Sequence, residues 1–503
     1  MMASRKGPGT PSVANQPARV CRSWVSCHSS LSARRITMDH GCSRRGKAGG
    51  PTTAHALIAC PEEAQIDVLF EIPYSAQSCL KERALKRLGR IAMFGAISLP
   101  TQATITLFLA VCSVLIGQAA VRAEVPPERT LDEIREESIA RAERGGYPLI
   151  GLEPADVREA FQSIRSLDRD EWAAAWIAIG DRYFAKAQEL ATANPGEANA
   201  YYLRAWRLYS FGRWPVPSSP GKQRAYAKAL DAFLAAAKAL NPPLEVVRIP
   251  FEGSEIVAYM RLPKASGPVP IVLAISGLDS RKENLIDSFA AILPHGIGVI
   301  AVDGPGTGQA PIKVSPTADR MFSSVIDYLL TRAEIAKDRI LVHGVSFGGY
   351  WSAKLAFVER ARIRAASAQS PAVHDSFQAS FLEKKLQGNR EYLFDYAPAL
   401  MSVFDGVNNL HDLKAAYPPL SLSAQGLLNQ PSAPMLIIGG ALDTQVPISD
   451  AYLLLTSGDT PKEAWINPRG GHLGRQPKVW PDPAIFNKVL IPWIVRTLGT
   501  KGT

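Results

Sequence analysis

Beyond residue 112 the chain has no cysteine. All six thiols (Cys21, Cys27, Cys42, Cys60, Cys79 and Cys112) lie at or before that point, so the remainder has no disulfide of its own and no thiolate nucleophile. That composition suits an oxidising compartment. The six form no C-x-x-C pair and have no histidine at zinc-finger offsets, so no metal site is read from them. Net charge is scarce in the same region. Residues 1–123 hold 15 Lys/Arg against 6 Asp/Glu, whereas the following 380 residues hold 41 against 40. The formal charge of +10 therefore belongs to the N-terminal segment. No basic stripe interleaved with aromatics follows, which argues against a nucleic-acid partner. Phosphate-binding loops are missing too: "AVDGPGTGQ" (301–309) has neither the Lys-Ser/Thr of a P-loop nor G-x-G-x-x-G spacing. It is expected to shape the rim of a site.

One long apolar run stands out, in "TITLFLAVCSVLIGQAAVRAEVPPERT". Residues 105–117 have the length of a signal-peptide core, "KERALKRLGRIAMF" supplies a positive flank, and Val121 and Ala123 fit a cleavage before Glu124. The expectation is a signal peptide over 93–123 and an exported protein, periplasmic or secreted. The competing reading is an uncleaved membrane anchor over 104–121. Residues 1–92, rich in Arg, Ser, Gly and Pro, read either as a disordered leader or as translation from a mis-assigned start.

From residue 128 to 240 the sequence reads as helices. "TLDEIREESIARAERGG" opens on a Thr130 N-cap and stops at Gly145 and Gly146, and alanine-rich amphipathic segments follow, punctuated by prolines. No 34-residue self-similarity is present, so a repeat solenoid is not expected. The period changes after residue 243. "LEVVRIPFEGSEIVAYMRLP" alternates around Glu252-Gly253 as a β-hairpin. Short apolar runs then alternate with helical segments: "PIVLAISG", "IGVIAVDG", "RILVHGVS", "IRAASAQS", "APMLIIGGALD" and "EAWINP". This rhythm predicts a doubly wound, mostly parallel α/β sheet. The expected organisation is an all-helical domain over 124–243 and a catalytic domain over 244–503, with a helical insertion at 375–430.

The chemistry is carried by "DRILVHGVSFGGYWSAKLAF". Gly344-Val345-Ser346-Phe347-Gly348 fits G-x-S-x-G between an apolar strand and a helix-forming run, the setting in which a serine is exposed on a strained turn. Such sites follow the order nucleophile, acid, histidine. "PMLIIGGALDTQVP" places Asp443 after an apolar run, and "INPRGGHLG" places His472, the only histidine beyond Asp443, in a glycine-rich loop. A serine hydroxyl is a weak nucleophile, so His472 would take its proton while Asp443 orients the imidazole. The oxyanion would need two N–H donors. The Phe347 amide is one candidate, and the Leu278 amide in "SGLDSRKEN" is the other, with Gly277 freeing the backbone. Taken singly, each residue also has a bland reading, as turn former or loop histidine.

Together these stretches resemble the cap-bearing α/β-hydrolases of the FrsA-type esterase and 2,6-dihydroxypseudooxynicotine hydrolase group. The likeness rests on "SGLDSRKEN", "DGPGTG", "GVSFGGYWSAKLA", "GGALDTQVP" and "GGH", and on the cap-like "YYLRAWRLYSFGRWPVPSSPGKQRAYAKALDAF". It covers roughly residues 126–500. The resemblance implies Ser346 as nucleophile, Asp443 as acid and His472 as base, with an N-terminal helical cap over the pocket. Tyr202, Trp206 and Tyr209 share one helix face, with Phe211 and Trp214 following. They read as cap core or as an aromatic wall for a ring-containing substrate. The group hydrolyses carboxylic esters or a C–C bond beside a ketone, and its caps can pair two copies into a homodimer.

The expected function is therefore a serine hydrolase acting on an acyl carbon of a small-molecule substrate. Ester hydrolysis is the default, and C–C hydrolysis of an aryl ketone or β-dicarbonyl compound the alternative. No metal or organic cofactor is implied. From a different class, the chain could be an inactive hydrolase scaffold used as an interaction module.

Overall fold

The computed structural model of the protein describes residues 129–388 and 391–499. The expected leader, signal peptide and membrane anchor within 1–123 lie outside the described residues. Among the described residues no helix is long and apolar enough to cross a membrane.

Five helices come first: α1 (Leu131–Glu143), α2 (Pro154–Ser163), α3 (Arg169–Leu190), α4 (Pro195–Gly212) and α5 (Pro220–Ala237). Their starts are written locally. Thr130 and Glu133 form a capping box on α1, and Asp168 accepts the Asp170 and Glu171 amides on α3. Ser219 caps α5 with Pro220 at its first position. Each cap satisfies N–H groups that a helix leaves without partners. An aromatic nucleus joins the layer: Trp176 stands edge-on to Phe211 at 4.7 Å and to Phe161 at 6.0 Å.

The sheet follows in the order β1-β2-β4-β3-β5-β6-β7-β8. Its strands are β1 (Glu245–Phe251), β2 (Ser254–Arg261), β3 (Val269–Ile275), β4 (Gly298–Val302), β5 (Ile335–Val345), β6 (Ala365–Gln369), β7 (Met435–Gly440) and β8 (Lys462–Asn467). The β1–β2 hairpin and the β2–β4 pair are antiparallel, and all other pairs are parallel. Strands β3, β4, β6 and β7 are buried along their whole length, as a sheet covered on both faces requires. Chain order reverses at β3, which has β4 on one side and β5 on the other. In open α/β sheets the crevice at such a switch point is where ligands bind. The loop after β3 and the turn after β5 both end there.

Helix α6 (Lys282–Ser288) follows β3, α7 (Arg320–Thr331) precedes β5, and α8 (Phe347–Val358) follows it. Within the 375–430 stretch lie three short α-helices, Ala379–Gly388, Tyr396–Ser402 and Leu410–Ala416. The stretch joins the helical layer through charge and rings. The Asp395 carboxylate, 6% exposed, meets Lys222 Nζ at 3.0 Å and Arg169 Nη2 at 2.7 Å. Phe394 packs on Trp172 at 4.5 Å between ring centroids.

Candidate active site

Ser346 sits between β5 and α8 with φ 54° and ψ −118°, a conformation a non-glycine residue holds only when its surroundings impose it. The flanking glycines explain how. A Cβ on Gly344 would lie 1.9 Å from the Gly348 carbonyl oxygen, and one on Gly348 would lie 2.4 Å from the Ile275 oxygen. Only hydrogen at both positions lets the turn close against β3. The Ser346 amide donates to the Gln369 carbonyl at 2.8 Å, which pins the turn to the end of β6.

Three residues far apart in sequence meet here. Ser346 Oγ lies 2.9 Å from His472 Nε2, and His472 Nδ1 lies 2.9 Å from Asp443 Oδ2. A carboxylate only accepts, so Nδ1 carries the proton and Nε2 accepts from the serine hydroxyl. Burial alone would raise the Asp443 carboxyl. His472, together with the Val446 and Gln445 amides, outweighs it and holds the group below its ordinary range. Asp443 Oδ1 takes the amides of Gln445 and Val446 at 2.8 and 3.0 Å, and Oδ2 also takes the Ser370 hydroxyl at 2.9 Å. His343 also borders the cavity, but burial pushes its imidazole down to about 3. Its ring contacts Ser367 Oγ at 3.2 Å, and among the described residues it forms no ion pair with a carboxylate.

Ser346 and His472 open onto a cavity of about 440 Å³. Trp206, Phe211 and Trp214 form part of its wall from the helical layer. Tyr202 and Tyr209 do not border it, which corrects the expected aromatic trio. Tyr202 packs edge-on against Phe184 at 5.3 Å, and the Tyr209 hydroxyl donates to Asp181 at 2.6 Å. Helical periodicity put all three on one face, but α3 covers the part of that face carrying the two tyrosines. The 301–309 loop is corrected as well, because none of its residues borders the cavity. Asp303 instead accepts the Lys282 amide and Nζ at 2.9 and 3.0 Å, so the loop supports the start of α6.

The Phe347 amide is the first of α8, and among the described residues neither it nor the Leu278 amide has an acceptor. The Leu278 side chain is buried in the core, while its neighbours Gly277, Asp279 and Ser280 line the cavity. The Asp279 carboxylate accepts from Trp214 Nε1 at 3.0 Å and lies close enough to the Tyr147 and Tyr392 phenols to shift both. Burial, then Asp279, pushes both phenols well above their usual range, so they stay protonated donors. Sequence reasoning missed Asp279, Tyr147, Tyr392 and the Gln369-Ser370 pair. For the last, a usable signal was two polar residues ending a buried parallel strand. Among the described residues no cluster of side chains is arranged to hold a metal ion.

This sheet, its switch-point crevice and the helical layer above it make the protein an α/β-hydrolase. The crystal structure of 2,6-dihydroxy-pseudo-oxynicotine hydrolase matches it with a TM-score of 0.59 at 20% identity, over 72% of this chain and 97% of that one. A structure of wild-type AbyA5 matches with a TM-score of 0.57 at 17% identity, over 74% of this chain and 96% of that one. At these identities the likeness concerns fold. The chain belongs to the esterase FrsA-like family, whose model matches residues 158–468. Esterase FrsA of Vibrio vulnificus strain YJ016 is 28% identical over 289 residues, covering 56% of this chain and 68% of that one. Hydrolase LUC6 of a Fusarium species is 29% identical over 232 residues, covering 42% and 55%. The chain is accordingly an enzyme of the hydrolase class. The family match includes Ser346 and Asp443 but stops short of His472.

Proposed function

We propose that the protein hydrolyses a carboxylic ester of a small molecule by covalent catalysis at Ser346. The observation that carries this reading is the unbroken Ser346–His472–Asp443 hydrogen-bond chain, 2.9 Å at each link, on the wall of the cavity. As Ser346 Oγ bonds to the acyl carbon, its proton passes to His472 Nε2, and Asp443 stabilises the imidazolium. The tetrahedral oxyanion is received by the Phe347 and Leu278 amides. Collapse expels the alcohol, which takes the proton from His472. A water then deprotonated by His472 attacks the acyl-enzyme, releases the acid and restores the serine. The aromatic wall of Trp206, Phe211 and Trp214 suits a ring-bearing substrate.

The test is turnover of a short-chain p-nitrophenyl ester and of an aryl β-diketone by the full chain and by Ser346→Ala. Ester turnover lost in the variant supports the reading. Serine-dependent cleavage of the diketone alone reassigns the enzyme to C–C hydrolysis. Equal inertness, with no serine-directed fluorophosphonate label, reassigns the chain to a silent scaffold. We also propose export, on the apolar run 105–117 and the small residues Val121 and Ala123. A mature N-terminus at Glu124 in exported protein is the expected result, and an intact N-terminal segment there argues for the anchor.

A further inference from the structure

The loop between β3 and α6 is gripped by two arginines. Arg213, directly after α4, donates through Nη1 to the Asp279 carbonyl at 2.6 Å. Arg281 donates through Nη1 to the Leu278 carbonyl at 3.1 Å and the Ser280 carbonyl at 2.6 Å. Three successive carbonyls of one loop thus end on guanidinium donors. Both arginines are buried, 3% and 1% exposed, and among the described residues neither makes an ion pair with a carboxylate. Buried guanidinium groups normally take carboxylate partners. Among the described residues their side chains donate to backbone carbonyls alone, with Arg213 Nη1 also reaching the Pro215 oxygen at 3.0 Å. Burial, with Arg281 nearby, pushes the Arg213 guanidinium down to about 10, which leaves it charged at neutral pH.

The geometry of the loop gives this grip a consequence. Peptide units are planar and their C=O and N–H point in opposite directions, so the held carbonyls set the planes of the three peptides that follow Leu278 and anchor the loop immediately after its amide. The Gly277–Leu278 peptide carries the amide assigned above to the oxyanion. On its N-terminal side the Gly277 amide is tied to Ser280 Oγ at 2.9 Å. On its C-terminal side the Leu278 carbonyl is tied to Arg281. Gly277 lets the loop approach the nucleophile, since a Cβ there would lie 3.4 Å from Ser346 Cβ and 3.1 Å from the Val345 oxygen. We infer that Arg213 and Arg281 are positioning residues that hold the β3–α6 loop, and with it the Leu278 amide, in the orientation that receives the oxyanion. Arg213 comes from the helical layer, so that layer takes part in the chemical step as well as in enclosing substrate. This inference rests on the serine-hydrolase reading above.

An oxyanion donor acts in the transition state, so disturbing it lowers kcat and leaves KM nearly unchanged. The experiment measures kcat and KM for p-nitrophenyl ester hydrolysis by the full chain carrying Arg213→Ala, Arg281→Ala, Arg213→Lys, Arg204→Met or Ser346→Ala. Outright loss of a donor costs about 10²–10³ in rate, so loosening its support is expected to lower kcat by roughly 10- to 100-fold. KM should stay within about threefold, and millimolar methylguanidinium should restore part of the kcat lost in Arg213→Ala. Arg204, paired with Asp156 on α2, serves as the control for stability of the helical layer. Should Arg213→Ala fail to fold, Arg213→Lys keeps the charge with a single-point donor and should show the same kcat-specific loss. The inference is overturned by kcat within about twofold of wild type in the folded Arg213 and Arg281 variants, or by an equal loss in Arg204→Met. Turnover retained in Ser346→Ala instead removes the underlying reading, and the inference with it.

Discussion

Ser370 Oγ donates to Asp443 Oδ2 at 2.9 Å and accepts the Leu473 amide at the same distance. One hydroxyl at the end of β6 therefore holds both the carboxylate and the residue following His472. Its neighbour Gln369 does the complementary work, accepting the Ser346 amide and donating Nε2 to the Leu473 carbonyl at 2.9 Å. The dipeptide ties the serine turn to the histidine loop. Ser370 adopts φ 47° to do so, so Ser370→Gly removes the hydroxyl without opposing the backbone. A hydrogen bond to a charged group contributes about 1.5–3 kcal/mol, so kcat/KM should fall by roughly tenfold or more. Steady-state kinetics on the folded variant check this, and wild-type kcat/KM would count against the linkage.

Asp443→Asn should lower kcat by on the order of 10⁴, because the amide favours the wrong imidazole tautomer. It should also change stability in acid. The Asp443 carboxyl titrates below its ordinary value in the fold. Its contribution is therefore complete above the unfolded value, about 3.9, and is lost as pH falls through the lower folded value. Urea midpoints measured from pH 6 down to pH 2 should show a shallower decline in the variant than in wild type.

Asp395 is the carboxylate on which buried Lys222 depends. The Lys222 side chain is 0% exposed, and burial pushes its ammonium down while Asp395 opposes that shift. Asp395 has φ 62°, which asparagine also adopts readily, so Asp395→Asn alters charge and leaves the backbone as it is. Breaking a buried pair by removing one partner costs about 3–5 kcal/mol. A drop of that size in denaturant stability is expected, and a change under about 0.5 kcal/mol would show the pair to be no anchor.

Trp206 borders the cavity and Tyr202 does not. Truncating Trp206 to alanine should widen the pocket and shift the preferred acyl or alcohol size, seen as altered relative kcat/KM across a p-nitrophenyl ester series. Tyr202→Ala should leave that profile unchanged. Matching shifts in both would mean the wall is set by the helical layer as a whole.

Gly344→Ala should prevent folding or cost about 3 kcal/mol or more, since the added Cβ meets the Gly348 oxygen at 1.9 Å. Soluble yield and thermal melting measure it directly.

Much of this molecule was legible in the sequence because it is written in local chemistry. The Thr130 cap, the apolar runs of the strands and the Glu252-Gly253 turn depend on near neighbours, and they fall where periodicity and capping place them. Consecutive βα units bring their C-terminal loops to one edge of a parallel sheet, and there Ser346, Asp443 and His472 lie within hydrogen-bond reach of one another. What only the tertiary structure decided involves partners distant in the chain. Periodicity assigns a residue to a helix face but not to what covers it, so Trp206 meets the cavity while Tyr202 and Tyr209 meet other protein groups. Asp279 and Trp214 are 65 residues apart, and Arg213 and the Asp279 carbonyl 66. Nothing local marks either pairing. They exist because the helical layer packs over the switch point, where burial removes the water that would otherwise solvate each of those groups.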